Sequence, residues 1–137
     1  MSAKRVLFLC THNSARSQMA EGLLRHLSGG RFEAFSAGTE ATAVQPLAIQ
    51  VMSELGIDIS KHESKTLDRY ILDQFDYVIT VCDDANESCP LFPNAEKRLH
   101  WSLPDPAKAT GTEAQRLAVY RTVRDELMKR IERELLR

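Results

Sequence analysis

The chain has 137 residues, enough for one domain that buries about two-thirds of the surface its unfolded form exposes, so no disulfide or metal staple is required. Its 18 Lys and Arg nearly balance 19 Asp and Glu, and the net charge of -1, with both signs spread along the sequence, argues against a nucleic-acid footprint or a polybasic membrane anchor. No segment approaches the ~18 apolar residues of a membrane span. Lys4-Arg5 ahead of Val6-Leu7-Phe8-Leu9-Cys10 mimics a signal peptide, but the apolar stretch is short and polar residues follow at once. Three cysteines without a secretion signal point to a reducing cytoplasm, where thiols are candidates for chemistry.

Strand-like and helix-like runs alternate, with no repeat or low-complexity segment, which predicts a single α/β domain with a parallel sheet. A first strand spans Arg5 to Leu9, continuously apolar as in a strand covered on both faces. A helix from about Ser17 carries Met19, Ala20, Leu23, Leu24 and Leu27 on one face and stops at Gly29-Gly30. Phe32 to Ala37 is a second, weaker strand closed by Gly38. Pro46 opens a helix through Leu47, Ile49, Val51, Met52 and Leu55 to Gly56. Tyr77 to Val81 is the clearest strand and delivers Cys82 at its end; Lys97 to Trp101 reads as a short edge strand leading to Pro104-Asp105-Pro106. From Thr112 a long helix buries Leu117, Tyr120, Val123, Leu127, Ile131 and Leu135. Ligands of open parallel sheets bind beyond the carboxyl ends of strands, so Cys10, Cys82 and Asp105 are expected on one rim.

Cys10 ends the first strand and is followed by Thr11, His12, Asn13, Ser14, Ala15, Arg16 and Ser17. A strand that enters a helix through such a loop points successive N–H groups into one concavity, where the helix dipole also favours negative charge. That geometry holds a tetrahedral oxyanion. The same field, with a guanidinium close by, favours a thiolate as nucleophile. A Cys with an Arg six positions on is weak alone; the apolar strand before it and the amphipathic helix after it make it specific.

Cys82 and Cys89 are seven residues apart. If the intervening segment is helical, the two lie on one face but about 10.5 Å apart along the axis. A disulfide needs Cα atoms within roughly 7 Å, so the segment would have to unwind, which its polar composition and Pro90 favour. Spacing alone selects neither a redox pair nor two bystanders. Scattered histidines and the lack of Cys-x-x-Cys argue against a zinc site. Asp105 between two prolines sits in a stiffened loop, and a carboxyl beside a bound anion holds its proton more tightly and can donate it; the plainer role of such a tripeptide is a solvated turn. His12, His26, His62 and His100 have no evident carboxylate partner in the sequence and read as structural or exposed.

The run from Cys10 through Ser17 to Gln18-Met19-Ala20-Glu21-Gly22 resembles the thioredoxin-coupled arsenate reductases, which share the low-molecular-weight protein tyrosine phosphatase fold. Matching features recur along nearly the whole chain: Phe35-Ser36-Ala37-Gly38-Thr39, Gly56-Ile57-Asp58-Ile59-Ser60, the segment from Cys82 to Cys89-Pro90, His100-Trp101 and Asp105-Pro106-Ala107. The resemblance implies one domain over residues 1–137, with a central four-stranded parallel sheet flanked by helices, that reduces arsenate to arsenite. It implies that Cys10 attacks arsenate held by the loop amides and Arg16 while Asp105 protonates the departing hydroxide. Cys82 then attacks Cys10, leaving a Cys10-Cys82 disulfide, and Cys89 takes over the bridge as Cys82-Cys89, which thioredoxin reduces. Ser17 is implied to stabilise the Cys10 thiolate and Asn13 to hold the loop.

No tightly bound cofactor is implied, and the expected partners of a monomer are an arsenate or phosphate oxyanion and thioredoxin. Some members bind potassium through residues matching Asn13, Glu21 and Ser36 plus an acidic residue where this chain has Lys65; an ammonium there would replace the ion and pair with Glu21. The competing readings are a low-molecular-weight phosphatase, an arsenate reductase recycled by glutathione and glutaredoxin, and a non-catalytic oxyanion sensor. Against the phosphatase, Asp105 is followed by Pro106-Ala107-Lys108 without flanking tyrosines.

Overall fold

In this computed structural model residues 3–83 and 91–137 are described. Strands β1 (Lys4–Cys10), β2 (Phe32–Gly38), β3 (Phe75–Thr80) and β4 (Ala95–His100) form one parallel sheet in the order β2-β1-β3-β4. The described residues also form helices α1 (Arg16–Ser28), α2 (Pro46–Ser53) and α3 (Glu113–Glu134), and 3₁₀ turns at Leu67–Tyr70 and Pro106–Lys108. The chain winds outward from β1 to the edge strand β2, then crosses back past β1 to β3. That reversal opens a crevice outside the carboxyl ends of β1 and β3.

The apolar run of β1 divides by strand alternation between two cores. Val6 and Phe8 join a cluster built with Met19 and Leu23 of α1, Val51 of α2, and Leu127 and Ile131 of α3. Leu7 and Leu9 face Ala37, Phe75, Val78 and Phe92 on the other side of the sheet. Helices therefore cover one face, as expected. Among the described residues the second face is closed instead by aromatic rings: Phe35, Tyr70, Phe75 and Phe92 meet edge-on with centroids 5.5 to 5.9 Å apart. The Arg5 guanidinium lies 4.7 Å and 4.9 Å from the centroids of Phe75 and Phe35.

Element ends follow local chemistry. Gly29 adopts a left-handed φ of 57° and stops α1. Thr112 and Gln115 form a reciprocal capping box at the start of α3, whose buried face holds five of the six apolar positions read from its spacing, the sixth, Leu135, being buried at the helix C-cap. The strands β3 and β4 each begin two residues earlier than the sequence spacing indicates. The exposed Glu96, Lys97 and Arg98 of β4 are held by pairing with β3, not by their own preference for strand. The segment between Cys82 and Cys89, whose conformation bears on the proposed disulfide, falls from residue 84 onward outside the described residues.

Two features of this frame have measurable consequences. A Cβ on Gly38 would stand 2.6 Å from the Thr11 carbonyl oxygen, 2.9 Å from the Asn13 nitrogen and 3.0 Å from the Cys10 carbonyl oxygen. All three are backbone atoms, so Gly38→Ala must displace the loop after β1. We predict a loss of about 1–3 kcal/mol, read by thermal unfolding. At the α2–α3 contact, hydrogen bonds from Arg121 and Arg124 hold the Glu54 carboxyl at about 2, below its ordinary 4.5. This lowered value favours the folded state fully above the unfolded pKa, and the benefit is lost as pH falls through the folded one. Urea unfolding between about pH 5 and pH 2 should show a shallower acid-side decline in Glu54→Gln than in the parent.

Candidate active site

Cys10 is the last residue of β1 and is 2% exposed. The loop that follows is pinned from outside through its carbonyls. The Thr11 oxygen accepts from the Glu40 N–H at 2.9 Å and the Thr39 hydroxyl at 3.1 Å; the His12 oxygen accepts from Ser64 at 3.0 Å and Thr42 at 3.4 Å. The Asn13 oxygen accepts from the Gln18 amide at 3.2 Å and the Ser14 oxygen from the Gln45 N–H at 2.9 Å. In a trans peptide the N–H points away from the carbonyl of the same unit. Four carbonyls turned outward therefore turn the N–H groups of residues 12 to 15 toward the concavity, just ahead of the α1 N-terminus at Arg16.

Asn13 accommodates this path with a φ of 49°, the one positive value among the described non-glycine residues. Its side-chain oxygen accepts from the Lys65 N–H at 2.9 Å and its amide donates to the Ser17 hydroxyl at 2.8 Å. Ser17 Oγ lies 2.8 Å from Cys10 Sγ. Because the hydroxyl oxygen already accepts from Asn13, its proton is available to a Cys10 thiolate.

Arg16 and Asp105 meet above the loop. Both side chains are nearly buried, at 3% and 9% exposure, with Nη2 and Oδ2 3.8 Å apart. Arg16 also donates to the Leu103 carbonyl at 3.1 Å, and the Asp105 carboxylate accepts from the Ala107 N–H at 3.0 Å. The acid loop is thus tied to the anion loop rather than standing free as a solvated turn. A cleft of about 330 Å³ opens here, lined by His12, Ser14, Asp105 and Lys108 among others. On α3, burial and the nearby Asp105 charge push the Tyr120 phenol up.

Cys82 is fully buried two residues past β3, with its sulfur 3.9 Å from the Leu9 carbonyl oxygen. Leu9 pairs with Thr80, which sets Cys82 one residue beyond the level of Cys10 on the neighbouring strand. Both cysteines belong to the same apolar cluster. The rim thus brings together Cys10, Arg16, Cys82 and Asp105, while Cys89 falls outside the described residues.

Two histidines depart from the sequence reading. His12 lies 3.4 Å from Glu40 and His62 3.6 Å from Glu21, partners that are distant or unremarkable in sequence and become neighbours through folding. Lys65 is buried with its ammonium 3.7 Å from Glu21, 3.4 Å from Ser36 and 2.9 Å from the Glu63 carbonyl oxygen. Burial pushes this ammonium below the ordinary lysine range, and Glu21 opposes that shift. An oxygen cradle already supplied with a fixed positive charge does not fit a potassium ion. Gln18 joins this cluster through Asn13, Glu63 and His62, and Gln18, Glu21, Gly22 and Arg25 recur at the spacing of one helix face. Gly22 lets that face approach the loop after α2, since a Cβ there would stand 2.8 Å from Ile59.

Comparison with known proteins agrees with this geometry. Residues 5–136 match the low molecular weight phosphotyrosine protein phosphatase family. An arsenate reductase of Halalkalibacterium halodurans is 48% identical over 131 residues, spanning 96% of this chain and 94% of that one. An arsenate reductase in its phosphate-binding state superposes with a TM-score of 0.81 at 38% identity over 95% of each chain. A thioredoxin-dependent arsenate reductase of Corynebacterium glutamicum does so with a TM-score of 0.65 at 32% identity, over 96% of this chain and 63% of that one. The match spans the strand, loop and helix that carry Cys10 and Arg16 as well as the strand before Cys82, and the chain belongs to the low molecular weight phosphotyrosine protein phosphatase family, in its arsenate reductase branch.

Proposed function

We propose that the protein reduces arsenate to arsenite with Cys10, Cys82 and Cys89 as a thiol relay recharged by thioredoxin. The observation that carries this reading is the placement of Cys10 and Cys82 at the carboxyl ends of adjacent strands, beside a loop whose amides converge. Arsenate binds in the loop against Arg16, and the Cys10 thiolate forms a sulfur–arsenic bond as hydroxide leaves, taking a proton from Asp105. Arsenic is still pentavalent in this adduct. Cys82 attacks the Cys10 sulfur; the sulfur–arsenic electron pair passes to arsenic, which leaves as arsenite, and the Cys10-Cys82 disulfide remains. Neighbouring strands run about 4.8 Å apart, within the Cα range a disulfide tolerates. Cys89 then attacks Cys82, freeing Cys10, and the dithiol of thioredoxin returns two electrons by reducing Cys82-Cys89.

The names of the relatives support the substrate, and the Corynebacterium glutamicum structure supports the electron donor. Reduced thiols accord with a cytoplasmic setting. A phosphatase would share the loop but has no task for Cys82 or Cys89. The cleft residues Asp105, Ala107 and Lys108 offer no aromatic wall for an aryl ester.

The decisive assay is arsenate-dependent NADPH oxidation with thioredoxin and thioredoxin reductase. Wild type should turn over steadily. Cys82→Ser and Cys89→Ser should each lose about a hundredfold or more while keeping any arylphosphatase activity, and Cys10→Ser should lose both. Failure of wild type with thioredoxin but turnover with glutathione and glutaredoxin would reassign the donor. We further propose that the Lys65 ammonium does the work of a bound cation: replacing potassium by tetramethylammonium should leave the arsenate KM within about twofold, and a larger rise would refute this role.

A further inference from the structure

Gln18 lies in the first turn of α1 and is completely buried. One end of its amide faces three oxygens that can only accept: the Asn13 side-chain and backbone oxygens at 2.9 Å and 3.2 Å, and the Glu63 carbonyl at 2.9 Å. That end must be the NH₂ group. The amide oxygen therefore faces His62 Nδ1 at 3.0 Å, which must carry the proton. His62 Nε2 is left as an acceptor, and Arg25, which can only donate, stands 3.2 Å from it.

The same elimination continues toward the thiol. Asn13 Oδ1 accepts from both Gln18 and the Lys65 N–H, so the Asn13 nitrogen donates to Ser17, and Ser17 must turn its own proton to Cys10. Every donor from Arg25 through His62, Gln18, Asn13 and Ser17 points the same way and ends on Cys10. The charged groups around His62 are Glu21 and Arg25 on α1 and Asp58 and Lys65 on the loop after α2. Burial outweighs the two carboxylates and pushes the ring below its ordinary range, in keeping with a neutral imidazole that accepts at Nε2.

We propose that Gln18 is a positioning residue for the Cys10 thiolate, linking the Arg25–His62 pair to Asn13 and so directing the Ser17 proton to sulfur. It touches neither substrate nor the reacting atoms. The proposal rests on Cys10 as the nucleophile but not on any later step of the relay. Hydrogen bonds aligned in one direction polarise one another and leave the last donor a single orientation.

The test reads Cys10 directly. In a full-length Cys82→Ser, Cys89→Ser background, alkylation by iodoacetamide across about pH 5 to 9 reports the thiolate without arsenate or thioredoxin. Gln18→Met keeps the length of the side chain and removes both donors and the acceptor. Its alkylation profile should move upward by about one pH unit, equivalent to about tenfold less thiolate below the midpoint. In a Ser17→Ala background the same substitution should leave the profile unmoved, because the chain no longer reaches sulfur. An unshifted profile in folded Gln18→Met, or an equal shift without Ser17, overturns the proposal. Should Gln18→Met not fold, Arg25→Met on the half-exposed end of the chain is read by the same two criteria. A normal Cys10 profile shift alongside absent arsenate turnover would leave Gln18 in place and reject the relay instead.

Discussion

The site depends on keeping four consecutive carbonyls, those of Thr11, His12, Asn13 and Ser14, turned away from the concavity beside Cys10. Each is satisfied by a neighbour from the segments around residues 39–45 and 63–65 or from the start of α1. Their satisfaction costs nothing when an anion arrives, so the amide dipoles are oriented before binding rather than by it. The positive φ of Asn13 is the local strain this path requires, and its side chain is held at both ends by Lys65 and Ser17. Gly38 belongs to the same constraint, because the loop backbone passes where any side chain at that position would stand.

Charge around the loop is paired rather than accumulated. Arg16 faces Asp105, and Glu21 is shared by Lys65 and Arg25 with His62 beside them. Buried charges of one sign would raise the cost of folding, whereas pairs keep the positive end of the site available without an uncompensated ion. An oxyanion entering above the loop competes with Asp105 for Arg16, and the carboxyl then sits next to negative charge. That environment suits a group that must hold a proton and release it to a leaving oxygen.

Parts of this arrangement were legible in the chain. The unbroken apolar run of β1 announced a strand buried on both faces, and the 3.6-residue spacing of Leu117 to Leu135 announced α3 with its correct face. Cys10 and Arg16 were legible because their roles depend on a local segment, strand into loop into helix. The partners of His62 and Gln18 were not, since each lies more than twenty residues away from at least one group it touches, whereas the pairing of Lys65 with Glu21 followed from the family resemblance. β4 was hard to delimit for a related reason: its polar residues take their conformation from β3.

Sequence by itself determined the alternation of elements, the thiol at the end of the first strand and the apolar faces that build the sheet's helical side, because these follow from periodicity and short-range stereochemistry. Tertiary structure alone decided which faces meet: the aromatic closure of the second face, and the direction of the hydrogen bonds that reach Cys10. Such features depend on atoms brought together by the crossovers of the sheet, and a hydrogen bond acquires a direction only when both of its neighbours are in place.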